Sequence, residues 1–151
     1  MAPLIVMVGA WVILRTIGFA GLLDSADSWV GALRYALATM FAFTAISHFH
    51  SRTRRDLIQM VPPNLPAPAL LVTITGLLEI AGAVSLLIPR LSAPAAYGLI
   101  ALLALLFPAN VRAARAGLTI ASRRATRLAW RLPLQLFWMA ALWWVASSLR
   151  N

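Results

Sequence analysis

Five long apolar stretches, separated by polar or proline-rich segments, organise this chain. They fall at about 3–23, 29–50, 68–88, 93–111 and 132–149, each close to the roughly 20 residues with which a helix crosses a bilayer. The first is interrupted by Arg15. The short stretch Pro89-Arg90-Leu91-Ser92-Ala93-Pro94 predicts that the third and fourth segments form an antiparallel hairpin. Val61-Pro62-Pro63-Asn64-Leu65-Pro66-Ala67-Pro68 is predicted to be non-helical, because its prolines lack donors and restrict their neighbours. Just before it, Arg54 to Met60 mixes basic and apolar residues, as a short turn lying on anionic lipid would. Pro108 frees the carbonyl of Ala104 and predicts a kink in the fourth helix.

Charge alternates from loop to loop. Asp24 and Asp27 lie between the first two segments, Arg52, Arg54 and Arg55 between the second and third, and only Arg90 between the third and fourth. Arg112, Arg115, Arg123, Arg124, Arg127 and Arg131 then crowd the last connection. Arginine-rich loops stay on the cytoplasmic side. The expectation is a multi-pass protein of the cell membrane with its N-terminus inside and its C-terminus outside. Trp29, Trp130, Trp143 and Trp144 fall near predicted span ends, as an aromatic belt does, whereas Trp11 and Trp138 are expected to pack inside.

Composition agrees with this pattern. The chain has 151 residues, 62% hydrophobic and 11% charged, and a mean hydropathy of +0.84. A soluble domain carries roughly a quarter charged residues, so lipid is the expected solvent. The length suits one helical bundle over 1–151. The fold class is therefore an all-α integral membrane protein with five transmembrane helices. All 13 basic residues are arginine and the formal net charge is +9. A nucleic-acid binder would not be this hydrophobic, so the charge reads as cytoplasmic loop charge. The absence of cysteine excludes disulfides, CxxC redox chemistry and thiolate metal sites. The N-terminal segment has no basic leader and carries Arg15, so it is expected to remain as a helix.

Polar side chains inside the apolar segments carry the remaining information: Arg15, Arg34, His48, Glu79, Asn110 and Gln135. Glu79 is the sole glutamate. Its neighbours three and four positions away are Thr75, Gly76, Gly82 and Ala83, small residues that let another helix approach, so Glu79 is expected to face the bundle. Counted from the inner face at about 1.5 Å per residue, Arg15 and Glu79 lie roughly 18 and 16 Å deep. An ion pair between them is one expectation; Arg15 reaching outward past a protonated Glu79 is the other. Arg34 is a rival partner nearer the outer surface. Arg34, Phe41 and His48 are spaced by seven and share a stripe of the second helix with Thr44. Asn110 and Gln135 fall at the inner level of His48, so these three are expected to form one inner polar layer. His48 and His50 point about 200° apart, and with one glutamate and no cysteine a zinc or di-iron site is not expected. A haem held by a single histidine stays open.

Four motifs, in order and over about residues 30–145, resemble the DoxX-like small integral membrane proteins. They are Ala45-Ile46-Ser47-His48-Phe49, Met60-Val61-Pro62-Pro63-Asn64-Leu65-Pro66, Thr75-Gly76-Leu77-Leu78-Glu79 and Phe107-Pro108-Ala109-Asn110. Ala45 stands where that family tends to have glycine. The resemblance implies a four-helix core in a bacterial inner membrane, to which the first helix is an addition. Some members are linked to redox assemblies, including a thiosulfate:quinone oxidoreductase.

Three functions compete at this stage. In the first, a quinone-linked membrane component, His48 bonds a quinone carbonyl, Glu79 relays a proton and an arginine (Arg15 or Arg34) stabilises reduced charge. In the second, a non-enzymatic assembly subunit, the polar groups fix helix packing and the arginine loops recruit a soluble or membrane redox partner. The third is a binder of, or acid–base enzyme for, a lipid-like molecule in a pocket among Glu79, His48, Asn110 and Gln135. Quinone is the cofactor the first reading implies, and an assembly of several copies fits all three.

Overall fold

The computed structural model describes residues 2–120, 123–124 and 128–148. Among them are six α-helices, α1 (Ala2–Phe19), α2 (Trp29–Phe49), α3 (Ser51–Met60), α4 (Pro68–Leu87), α5 (Pro89–Arg115) and α6 (Leu128–Ser148). A 3₁₀ turn at Asp24–Ala26 joins α1 to α2, and two-residue strands, β1 (Thr119–Ile120) and β2 (Arg123–Arg124), pair antiparallel between α5 and α6.

The ends of these helices have local causes. α1 stops at Phe19, short of the expected residue 23, because Gly21 takes a positive φ of 71°. Leu22 N–H then bonds the Ile17 carbonyl and Gly21 N–H bonds that of Gly18, which closes the helix in a Schellman motif. α2 opens on Ser28, whose hydroxyl accepts from the Gly31 N–H at 2.9 Å. α3 is a ten-residue helix rather than the expected short turn. It carries Arg52, Arg55 and Gln59 outward and buries Met60. α4 begins at Pro68, where a missing N–H costs nothing.

α5 corrects the expected hairpin boundary. The Pro89–Pro94 stretch is the first turn and a half of the helix, not a loop, so the connection from α4 narrows to Ile88. Pro89 sits at the first helical position, and the helix continues through Pro94 and Pro108 to Arg115. The expected 93–111 was therefore too short at both ends. The paired strands that follow α5 are absent from the all-helical expectation.

Packing makes a closed ring. α2 packs on α4, α4 on α5, α5 on α6, and α6 returns to α2. α1 lies outside this ring, against α2 and the 3₁₀ turn. α2 is consequently the most enclosed helix, and its Leu37, Met40 and Phe41 meet Leu86, Leu99 and Leu142 in the core. The outside is apolar as well: Phe19, Leu22 and Leu105 are 80%, 78% and 77% exposed. Such a surface is the inverse of a water-soluble one. Among the described residues α1, α2, α4 and α5 are long and apolar enough to cross a membrane. α6, at 21 residues, matches them in length but is diluted by Arg131, Pro133, Gln135 and its tryptophans. Trp29, Trp130, Trp143 and Trp144 are exposed, while Trp11 and Trp138 pack against the core.

Candidate functional site

α2 and α4 approach most closely where His48 passes Gly76. A Cβ built on Gly76 would stand 2.6 Å from the His48 Cβ, so any larger residue would force the helices apart. This contact sets His48 beside α4, and the ring is tied to it by a bond of 2.8 Å between Nδ1 and the Val72 carbonyl oxygen. A carbonyl only accepts, so Nδ1 carries the hydrogen. The Thr75 hydroxyl lies 3.3 Å from the same nitrogen and itself donates to the Leu71 carbonyl at 2.9 Å.

With Nδ1 committed, Nε2 points along α4 toward Glu79, 3.6 Å from Oε1. The other carboxyl oxygen, Oε2, accepts from the Thr44 hydroxyl at 2.8 Å. His48 and Glu79 are 7% and 6% exposed, so both are withdrawn from the surroundings. Nε2 and Oε1 therefore face each other, and one proton placed on the line between them has two resting places. On Nε2 the unit is an imidazolium–carboxylate pair; on Oε1 it is a neutral imidazole beside a carboxylic acid. Both forms have no net charge, which is how a base and an acid can be buried together in an apolar bundle. The separation lies within ion-pair range but beyond a hydrogen bond. The proton is therefore not locked between the two atoms.

Arg54 on α3 frames the unit from its open end. One guanidinium nitrogen donates to the His48 carbonyl at 2.8 Å; the other donates to the Ala69 carbonyl and to the Thr73 hydroxyl, at 3.0 and 2.9 Å. Thr53 donates to the Ser47 carbonyl at 2.8 Å. Together these side chains satisfy carbonyls left over at the end of α2, and Arg54 ties that end to the first turn of α4. Arg54 was not among the sequence candidates, although an arginine just past a helix end is a recognisable signal for such capping.

The other sequence candidates lie elsewhere. Arg15 does not pair with Glu79: it bonds Asp27 at 3.3 Å and stacks over Trp29 and Phe19. Equal depth along the bundle axis was the basis for the expected pair, but α1 packs on α2 and the 3₁₀ turn, while α4 is met by α2 and α5. Arg15 turns instead toward the loop that follows α1, where Asp27 lies. Arg34 is 6% exposed; it donates to the Tyr35 hydroxyl at 3.2 Å and stacks on that ring, while its Nε has no partner among the described residues. It stands fourteen residues from His48, well away from Glu79.

The single inner layer expected from His48, Asn110 and Gln135 is instead two units. Asn110 donates to Gln135 at 3.3 Å, Gln135 donates to the Leu103 carbonyl at 2.7 Å, and Arg131 donates to Asn110 at 2.7 Å. This second unit bridges α5 and α6 on the far side of the ring from His48. Among the described residues no cluster of three or more metal-binding side chains is present.

A search of curated proteins and a search of solved structures each found no match. Residues 37–146 match the family described as Domain of unknown function (DUF8561). The match runs from within α2 to within α6, so it contains the whole His48–Glu79 unit and leaves α1 outside. A match over more than half of its length makes the chain a member of the DUF8561 family.

Proposed function

We propose that this protein is a DoxX-like, five-span protein of the bacterial inner membrane, with its N-terminus in the cytoplasm. In this reading its His48–Glu79 unit exchanges a proton with a quinone. The observation that carries the proposal is the commitment of His48 Nδ1 to Val72, which leaves Nε2 facing Glu79 Oε1 at 3.6 Å. The residues of that unit come from two of the motifs that resemble DoxX-like proteins: His48 from Ser47-His48-Phe49, and Thr75, Gly76 and Glu79 from the Thr75–Glu79 stretch.

The donor set suits a quinone carbonyl. In this reading a quinone carbonyl brought against Nε2 or Oε1 accepts a proton from the pair, which requires α2 and α4 to part beside it. A quinone takes up two electrons and two protons on reduction; in this reading the electrons come from a redox partner bound at the arginine loops, one proton comes from the His48–Glu79 unit, and the second proton comes from water at the membrane face. The chain supplies the binding face, a proton at Nε2 or Oε1, and the Thr44 hydroxyl that steadies the carboxyl group in both protonation states. Arg34 and Arg15 stand outside this geometry, so neither is assigned to reduced-quinone charge.

The competing reading is an assembly subunit in which His48 and Glu79 only fasten α2 to α4. It draws on the near-complete burial of both side chains. Quinone retained by the detergent-extracted protein distinguishes the two readings, measured by solvent extraction and mass spectrometry. Wild type is expected to carry quinone, and His48→Ala and Glu79→Gln to lose at least about tenfold of it, a difference of roughly 1.4 kcal/mol in binding. Equal retention in folded variants would leave the assembly reading standing.

A further inference from the structure

Two clefts open on either side of one contact at the α3 end of the bundle. Arg112, near the end of α5, donates to the Val61 carbonyl in the proline-rich connection. That contact makes a ridge, and Pro62 and Arg112 line both clefts. One cleft, of about 440 Å³, continues over Ile58, Leu65 and Leu118. The other, of about 460 Å³, continues over Pro108, Val111 and Arg115. Each falls within the roughly 300–1,000 Å³ of sites that enclose a small molecule.

We infer that this ridge and its two clefts form a binding site for a two-chain anionic phospholipid of the surrounding bilayer. Arg112 and Arg115 are three residues apart on α5, hence on one face of it. Guanidinium groups bind phosphate through paired hydrogen bonds, and an arginine pair favours an anionic headgroup over a zwitterionic one. Pro62 and Arg112 separate a mixed cleft, with Ile58, Leu65 and Leu118 as its apolar part, from a second that is almost wholly apolar, which matches a lipid with two acyl chains. The depth agrees: α5 leaves its apolar run and turns basic at Arg112, and amphipathic α3 lies at the same end with Arg52 and Arg55 exposed. The site lies apart from the His48–Glu79 unit and takes no part in its proton transfer. It rests only on the membrane-spanning reading.

Native mass spectrometry of protein extracted from vesicles of equal phosphatidylglycerol and phosphatidylcholine tests it. Wild type is expected to retain phosphatidylglycerol over phosphatidylcholine by about tenfold, the value of one good charge-assisted contact. The double variant Arg112→Gln/Arg115→Gln should bring the two lipids to parity. Val111→Trp fills one cleft without touching charge and keeps the test valid if loss of the Arg112 contact unfolds the protein; it should release the phosphatidylglycerol as well. Arg90→Gln, at the opposite end of α5, should leave retention unchanged. Equal retention of both lipids by wild type overturns the inference, as does undiminished phosphatidylglycerol in folded Val111→Trp. A wild-type chain that stays monodisperse in buffer without detergent sinks the membrane-spanning reading itself.

Discussion

At the scale of single residues, the account turns on which atoms of His48 and Glu79 are already committed. Val72 takes Nδ1–H and Thr44 serves Oε2, so Nε2 and Oε1 have only each other. This predicts unequal effects from two substitutions at one site. In Glu79→Gln the amide still donates toward Nε2 and still accepts from Thr44, so thermal stability in detergent should stay within about 1 kcal/mol of wild type. In Glu79→Leu the imidazole Nε2 loses its partner and the Thr44 hydroxyl is left with the Phe41 carbonyl alone, and the cost should be about 1–3 kcal/mol. Equal melting temperatures for the two variants would contradict the assigned contacts. Much of this unit was legible beforehand. The small residues around Glu79 marked its face, and the spacing put Thr44 and His48 on one stripe of α2. The partner was misread because depth along an axis does not say which helices are neighbours. Only the ring order of the helices decides that, and apolar segments of similar length do not encode it.

At the scale of elements, α3 does more than lie beneath the bundle. Through Arg54 it grips the His48 carbonyl and the first turn of α4, so it holds both walls of the site in register. Arg54→Met keeps an unbranched stem but removes the guanidinium and its three hydrogen bonds. Amide hydrogen exchange should then speed up in α3 and at both helix ends by about tenfold per 1.4 kcal/mol lost, while the α5–α6 pairing stays protected. Exchange unchanged at the start of α4 would count against this role. The apolar runs placed α2 and α4 almost to the residue, because apolarity and helix ended together there. α5 was misjudged at its start because prolines read as a loop, yet Pro89 occupies a position where no N–H is required. α1 was overrun because Ala20 to Leu23 is apolar or small but is broken from the helix by the Schellman turn at Gly21.

At the scale of the whole molecule, the helices α2, α4, α5 and α6 form the ring and α1 is added to its outside. The DUF8561 match over residues 37–146 follows that same division. The polar side chains divide likewise, into an α2–α4 unit of His48, Glu79 and Thr44 and an α5–α6 unit of amides braced by Arg131. The first is the basis of the proposed quinone chemistry. It is tested most directly by infrared difference spectra of the protein in lipid bilayers, recorded as added quinone is reduced and reoxidised. Glu79 is the sole glutamate among four acidic residues, so a carboxyl band can be assigned by one substitution. The account predicts a protonated-carboxyl band that changes with quinone reduction in wild type and is missing from Glu79→Gln. No carboxyl change in wild type, or the same change in the variant, would contradict it.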